Sequence, residues 1–452
     1  MKILLVTLFF PPNYNSGTEN YTLGLAKAFI NRGHEVQVLC AETWQSGESY
    51  WNSVTVDVYQ NVPVIRFNLN WQKASNPNLT LFESSVVEAW LDDFLTEREF
   101  DLVHVVSTIT LGIGVLRSVK RASIPLILTL MDFWFVCPSI QLLRSNDDLC
   151  DGKTTAWQCQ SCLLSNSRFF QTIKALPVPE FIQSGTFELL SHVNFINKQR
   201  GLRGMLLDMK TRKQTLSDAL LLPDLILTHS KTVRQIVGNT NSIRIDILKN
   251  GQDLSWLDQY KGKTPSEKLR FGYIGQIQPN KGVHLLIKAF QRAGISDHAC
   301  LNIYGDLTRN ISYGEILSSL SQDNPEVIFW GRFDREKLPS ILANIDILVV
   351  PSIWYENAPL VIQEAFASHT PVIATNLGGM AEQVHHEVNG LLFERGDVED
   401  LSRQIYRICI DHFLLDRLIE GIPSVKTIEE EVSELESVYQ NLVSLQVKGG
   451  NH

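Results

Sequence analysis

No stretch of this chain approaches the roughly 18 consecutive apolar residues of a membrane-spanning helix, although 44% of its 452 residues are apolar. Positive charge is also short: 40 Lys and Arg stand against 49 Asp and Glu, a formal net charge of -9. General nucleic-acid binding, which draws on a basic surface, is therefore disfavoured, and no nucleic-acid partner is expected. The glycine fingerprint Gly-x-Gly-x-x-Gly is missing after the first apolar run, where Phe10 to Gly17 stands instead. That absence argues against a dinucleotide-dependent oxidoreductase. No cleavage-site pattern follows Ile3 to Phe10, which ends at Pro11-Pro12, so a buried strand is expected there rather than a signal peptide. A cytoplasmic protein follows from that reading, with its seven cysteines reduced or metal-bound rather than disulfide-paired. No internal repeat of short period is present.

The length calls for more than one core. The first 40 residues read as strand, helix, strand. Lys2 to Leu8 is apolar and β-branched, and Ser16-Gly17-Thr18-Glu19 fits a capping box. Tyr21, Leu25, Ala28 and Phe29 share one helical face, and Gly33 suits a left-handed helix end. Further strands are expected at Val36–Leu39, Leu102–Val106, Pro125–Leu130 and Leu225–Thr228. A second series is expected at Leu269–Ile274, Leu301–Tyr304, Val327–Phe329, Ile345–Val350 and Pro371–Thr375, with a helix over Gly282–Ala293 among them. Alternating strands and helices imply α/β domains with parallel sheets covered on both faces. Residues Lys426 to Gln446 read as a terminal helix.

Two segments break this rhythm. Cys137, Cys150, Cys159 and Cys162 fall within 26 residues, the last two as Cys-x-x-Cys. Four thiolates with one such pair suit structural zinc or an iron–sulfur cluster; four reduced thiols are the alternative. Cys40, Cys300 and Cys409 sit in apolar surroundings and read as core residues. Residues 165–214 read as helical, with Lys198, Arg200, Arg203, Lys210, Arg212 and Lys213 clustered. Interleaved with Leu202, Met205, Leu206 and Leu207, that cluster reads either as a peripheral contact with an anionic membrane surface or as a solvated helix face.

The stretch richest in chemistry is Ser352 to Val384, SIWYENAPLVIQEAFASHTPVIATNLGGMAEQV. Glu356 ends a loop, Asn357 can cap the next helix, and Pro359 suits its first turn. Glu364 falls on the apolar face of that helix with Leu360, Val361 and Ala367. A carboxylate there needs hydrogen-bond donors, which a vicinal diol supplies, while the helix N-terminus favours phosphate. His104, after a strand, reads as a core histidine or as a residue lining a cleft.

Glu356 and Glu364, followed by Ala365, Thr370-Pro371-Val372 and Gly378-Gly379, resemble the signature of family 4 glycosyltransferases, the retaining group 1 enzymes. Gly275 to Gly282, GQIQPNKG, resembles that family's phosphate-binding loop. Lys249 to Asp253, Tyr304-Gly305-Asp306, Gly331-Arg332 and Gly17 match in order along nearly the whole chain. The resemblance implies a GT-B fold: two doubly wound Rossmann-like domains with a cleft between them and a C-terminal helix. It places an acceptor-side domain at 1–250 with a Cys-rich insertion at 137–162, a nucleotide-sugar-binding domain at 251–420, and a helix and tail at 421–452. It implies Glu356, Lys281 and Asp132 as catalytic residues. Gly17, Gln276, Lys281, Glu364, Gly305 and Arg332 would hold a UDP- or GDP-linked sugar. The acceptor would be a glycan or a lipid-linked glycan in surface polysaccharide or glycolipid assembly, and no catalytic metal would be needed. Two positions depart from the family: Gln276 stands where Arg is usual and Met131 where His is frequent. They keep open a weakly active or inactive GT-B protein acting as a binding partner.

Overall fold

The computed structural model describes residues 1–43, 49–74, 77–165, 193 and 209–449. The chain folds as two compact units, one of Met1–His229, Val233–Lys249 and Glu429–His452, the other of Ser230–Thr232 and Asn250–Ile428.

The first unit is built on an eight-stranded sheet in the order β3-β4-β2-β1-β5-β6-β7-β8. Its strands are β1 (Lys2–Thr7), β2 (Glu35–Thr43), β3 (Trp51–Tyr59), β4 (Val62–Leu69), β5 (Leu102–Val105), β6 (Leu126–Leu130), β7 (Leu225–Thr228) and β8 (Asp246–Ile247). All pairings are parallel except β3 with β4. Ile3, Leu4, Leu5 and Val6 are all fully buried, as a parallel strand covered on both faces requires. The β3–β4 hairpin adds an edge that the strand–helix pattern does not announce. Its two turn residues, Gln60 at φ 47° and Asn61 at φ 68°, adopt the left-handed backbone of a tight hairpin turn without the Asn-Gly pair that usually marks one.

Helix Gly17–Asn31 begins as expected, with Glu19 accepting the Ser16 backbone N–H at 3.1 Å and the Ser16 hydroxyl as well. Gly33 follows it at φ 85°. The chain's last helix, Ile428–Gly449, does not stand apart: from Glu429 onward it belongs to the first unit. Tyr439 is fully buried and stacks on Phe29 at 5.2 Å between ring centres, and the Tyr21 hydroxyl donates to Glu431 at 2.6 Å.

The second unit holds a six-stranded, all-parallel sheet in the order β11-β10-β9-β12-β13-β14. The strands are β9 (Leu269–Ile274), β10 (Ala299–Tyr304), β11 (Val327–Gly331), β12 (Ile347–Val350), β13 (Val372–Thr375) and β14 (Gly390–Phe393). Phe271, Phe290, Ile303, Val349 and Ile373 lie in its main core. The strand order reverses between β9 and β12. In doubly wound sheets that switch point is where ligands bind, just beyond the strands' C-terminal ends. The segments leaving β9 and β12 there are Gly275–Gly282 and Pro351–Asn357. Among the described residues no helix is long and apolar enough to cross a membrane.

Candidate functional site

The turn after β9 is shaped by one glycine. Pro279–Lys281 forms a single tight turn, and Gly282 follows at φ 71° before helix Val283–Ala293. A Cβ on Gly282 would lie 2.0 Å from the Pro351 carbonyl oxygen, so the turn rests directly on the chain leaving β12. The Tyr273 hydroxyl donates to the Gln276 carbonyl at 2.7 Å and steadies the other side of the turn.

This arrangement brings Lys281 and Glu356 together. The Lys281 ammonium lies 2.7 Å from Glu356 Oε1 and 4.9 Å from the centre of the Trp354 ring. The same carboxylate oxygen accepts the Ser352 hydroxyl at 2.8 Å and the Trp354 indole N–H at 2.9 Å. Three donors on one oxygen explain how a carboxylate only 9% exposed is tolerated. The backbone of Glu356 is pinned too: Gly379 N–H donates to its carbonyl at 2.9 Å. A Cβ on Gly379 would fall 1.5 Å from the Asn357 carbonyl oxygen, and Gly378 before it sits at φ 55°, so each glycine of the pair has its own reason.

Other expected residues take different places. Helix Leu360–Ala367 starts two residues later than read, with Pro359 at its cap and no side-chain capping bond; Asn357 is not the cap. Glu364 is 4% exposed and is met by Arg335, whose Nη2 lies 2.6 Å from Glu364 Oε1. Arg335 belongs to the short turn Arg335–Lys337, and its charge is held more firmly by the Glu364 carboxylate beside it. Gly305 serves close packing: a Cβ there would meet the Gly275 carbonyl oxygen at 2.3 Å. Gln276 is half-buried, and Arg332 is exposed. Arg332 adds to the fall in the Asp306 carboxyl pKa, which comes first from the Thr308 hydroxyl and backbone N–H. Trp354, Ser352 and Arg335 were not singled out by sequence. Trp354 stands two residues before Glu356, but nothing linear marks Arg335 as the partner of Glu364.

In the first unit Gly17 is exposed at its helix N-terminus. Asp132 follows β6, and its Oδ1 accepts the Trp134 N–H at 2.8 Å. Burial pushes its carboxyl up to about 6 against the opposing pull of that N–H. A carboxyl raised in the folded state stabilises the fold when protonated. That contribution is whole below the ordinary carboxylate range and is lost as pH rises through about 6. Asp132→Asn is therefore expected to unfold at higher denaturant than the parent at pH 7.5, by about 1–2 kcal/mol, with the difference vanishing below about pH 3. A gain that is the same at both pH values would show that the carboxyl is not raised.

His104 is a core residue. It is fully buried, with Nδ1 2.5 Å from the Tyr439 hydroxyl and Nε2 2.7 Å from Thr129 Oγ1, and burial pulls its pKa down to about 3. Of the basic cluster, Lys198, Arg200 and Arg203 lie outside the described residues. Arg212, read as part of a basic surface, is instead 3% exposed, while Lys210 is exposed. Lys213 donates to the Thr154 carbonyl. Cys137, Cys150, Cys159 and Cys162 line one cavity of about 290 Å³, although among the described residues no group of three or more ligating side chains is arranged to hold a metal as it stands. Cys40 is buried as expected, and Cys300 and Cys409 are half-buried.

Two family models match the chain: glycosyl transferases group 1 over residues 256–424, and the glycosyl transferase 4-like domain over residues 16–170. The uncharacterized glycosyltransferase MJ1607 of Methanocaldococcus jannaschii is 24% identical over 91% of this chain and 90% of its own length. The capsular polysaccharide biosynthesis glycosyltransferase CapM of Staphylococcus aureus is 27% identical over 46% of this chain; the match spans only 54% of CapM. Among solved structures, Anabaena Alr3699/HepE in complex with UDP and glucose superposes with a TM-score of 0.63 at 16% identity, covering 98% of this chain and 100% of that one. At that identity the likeness speaks for the fold.

Proposed function

The chain belongs to the group 1 glycosyltransferases, and on that premise we propose that it is a retaining transferase carrying a sugar from a nucleoside-diphosphate donor to an acceptor hydroxyl. The observation that carries this reading is the Lys281–Glu356 pair beside Trp354, set by a glycine turn at the sheet's switch point. As the bond between the sugar's anomeric carbon and the diphosphate breaks, its electron pair leaves with the phosphate. A fixed ammonium at that point stabilises the charge where it develops. Glu356 holds Lys281 in place before the donor arrives, so little reorganisation is left for the reaction itself. The acceptor oxygen then bonds to the anomeric carbon from the face the diphosphate leaves, and its proton passes to a departing phosphate oxygen. Glu364 accepts the ribose hydroxyls, which take the place Arg335 holds beside it.

The name of CapM and the UDP and glucose bound by HepE support a role in surface polysaccharide or glycolipid assembly with a UDP-linked donor. Thermal unfolding with UDP, GDP and ADP tests the donor site. The cognate diphosphate at 100 times its Kd stabilises by about 2.7 kcal/mol, and absence of any shift with all three removes the reading. Glu364→Gln is expected to weaken that nucleotide by about tenfold, because a buried charged hydrogen bond is lost. Unchanged affinity in calorimetric titration would take Glu364 out of the donor site.

A further inference from the structure

Among the described residues Arg212 is a buried cation with no carboxylate beside it. Its Nη2 donates to the Trp134 carbonyl at 2.7 Å, and its guanidinium lies 5.6 Å from the Trp134 ring centre and 5.9 Å from that of Phe82. The ionisable groups acting on it are the thiols of Cys137 and Cys159. A guanidinium taken out of water without counter-charge is costly, so negative charge is expected beside it.

The four cysteines approach their common cavity from separate elements. Cys137 ends the turn after β6, its N–H bonded to the Phe133 carbonyl at 2.7 Å. Cys150 closes a small hairpin joined through Leu143 and Leu149. Cys159 and Cys162 lie on helix Ala156–Leu164, which packs against helix Met209–Ala219, the carrier of Arg212. The Thr154 hydroxyl lies 3.0 Å from Cys159 Sγ.

We propose that Cys137, Cys150, Cys159 and Cys162 bind one structural zinc ion as thiolates, with Arg212 as the counter-charge. Four thiols release four protons, the Zn²⁺ complex carries two net negative charges, and the guanidinium offsets one of them; no oxidant or reductant takes part. Zinc is favoured over an iron–sulfur cluster by spacing. Twelve, eight and two residues separate successive cysteines, unlike the close run of three that bacterial cluster proteins use. The ion would tie the hairpin and the helix to the segment after β6, which carries Asp132 five residues before Cys137.

Elemental analysis of the chain, purified without added metal, is expected to find about one zinc per chain, as one tetrahedral site holds, and neither iron nor acid-labile sulfide. A thiol-blocking mercurial should release that zinc. The double variant Cys159→Ser/Cys162→Ser should lose it, and Arg212→Met should yield it faster to a chelator while Lys288→Ala does not. Should the double variant fail to fold, cobalt exchanged into the parent chain decides instead, since four thiolates give intense tetrahedral visible bands. Metal-free protein, bound iron with sulfide, or a cobalt spectrum without thiolate bands would each overturn the proposal.

Discussion

Lys281→Ala is expected to lower turnover at saturating donor on the order of 100- to 1000-fold, the cost of removing one fixed donor from developing charge. Lys288→Ala, an exposed lysine on the helix beginning at Val283, should leave turnover within about twofold of the parent, as surface changes far from a site usually do. The contrast follows from the geometry. Lys281 is 2.7 Å from Glu356 and lies over Trp354, which excludes water from one side of the ammonium and limits its motion. Binding of the free diphosphate should fall less than turnover, because only part of the charge that Lys281 meets is present before the bond breaks. Steady-state kinetics together with calorimetric titration separates the two quantities. If turnover and diphosphate affinity fall by the same factor, Lys281 contributes ground-state binding and not stabilisation of the leaving group.

The second large effect concerns stability. Gly282→Ala is expected to cost about 2–4 kcal/mol, from left-handed strain together with a collision, because the new methyl would lie 2.0 Å from the Pro351 carbonyl oxygen. Gly294→Ala provides the internal comparison. It shares the left-handed backbone, φ 65° against 71°, but a Cβ there meets nothing within 4 Å. It should cost only about 1 kcal/mol, from the backbone alone. Urea denaturation of both variants measures the difference. Equal losses would mean that the turn moves off the β12 exit at little cost, and that the placing of Lys281 does not depend on that contact.

Much of this architecture is readable in linear form because parallel strands covered on both faces leave dense apolar runs. Leu269–Ile274 and Leu225–Thr228 coincide with the observed strands. The β3–β4 hairpin is harder to see: β3 is an edge strand whose Val56 and Val58 are exposed, and its turn lacks a glycine. Glu356 and Lys281 can be named from sequence because motifs carry them, and the structure joins them. Their companions are another matter. Trp354 shares its indole N–H with Glu356, Arg335 reaches Glu364 from a different turn, and Arg212 leaves the surface for the interior. Each depends on where the backbone turns in three dimensions, and charge patterning along the chain points elsewhere for Arg212. The glycines Gly282, Gly305 and Gly379 are likewise visible as letters, but the carbonyls they accommodate are not.

The placement of the final helix has a consequence for biosynthesis. His104 and Tyr439 are partners across 335 positions, and Tyr21 and Glu431 across 410. At about 5–20 residues per second on the ribosome, the pocket around His104 waits on the order of 20–70 s for the hydroxyl that completes it. Through that interval the second unit can finish its own sheet, since every strand it uses lies between Leu269 and Phe393. The earlier-made unit is thus the later one to mature. Until release its open flank presents Phe29 and a buried imidazole to solvent, where a holding chaperone would find it, and a stop codon before Glu431 would leave that flank open for good.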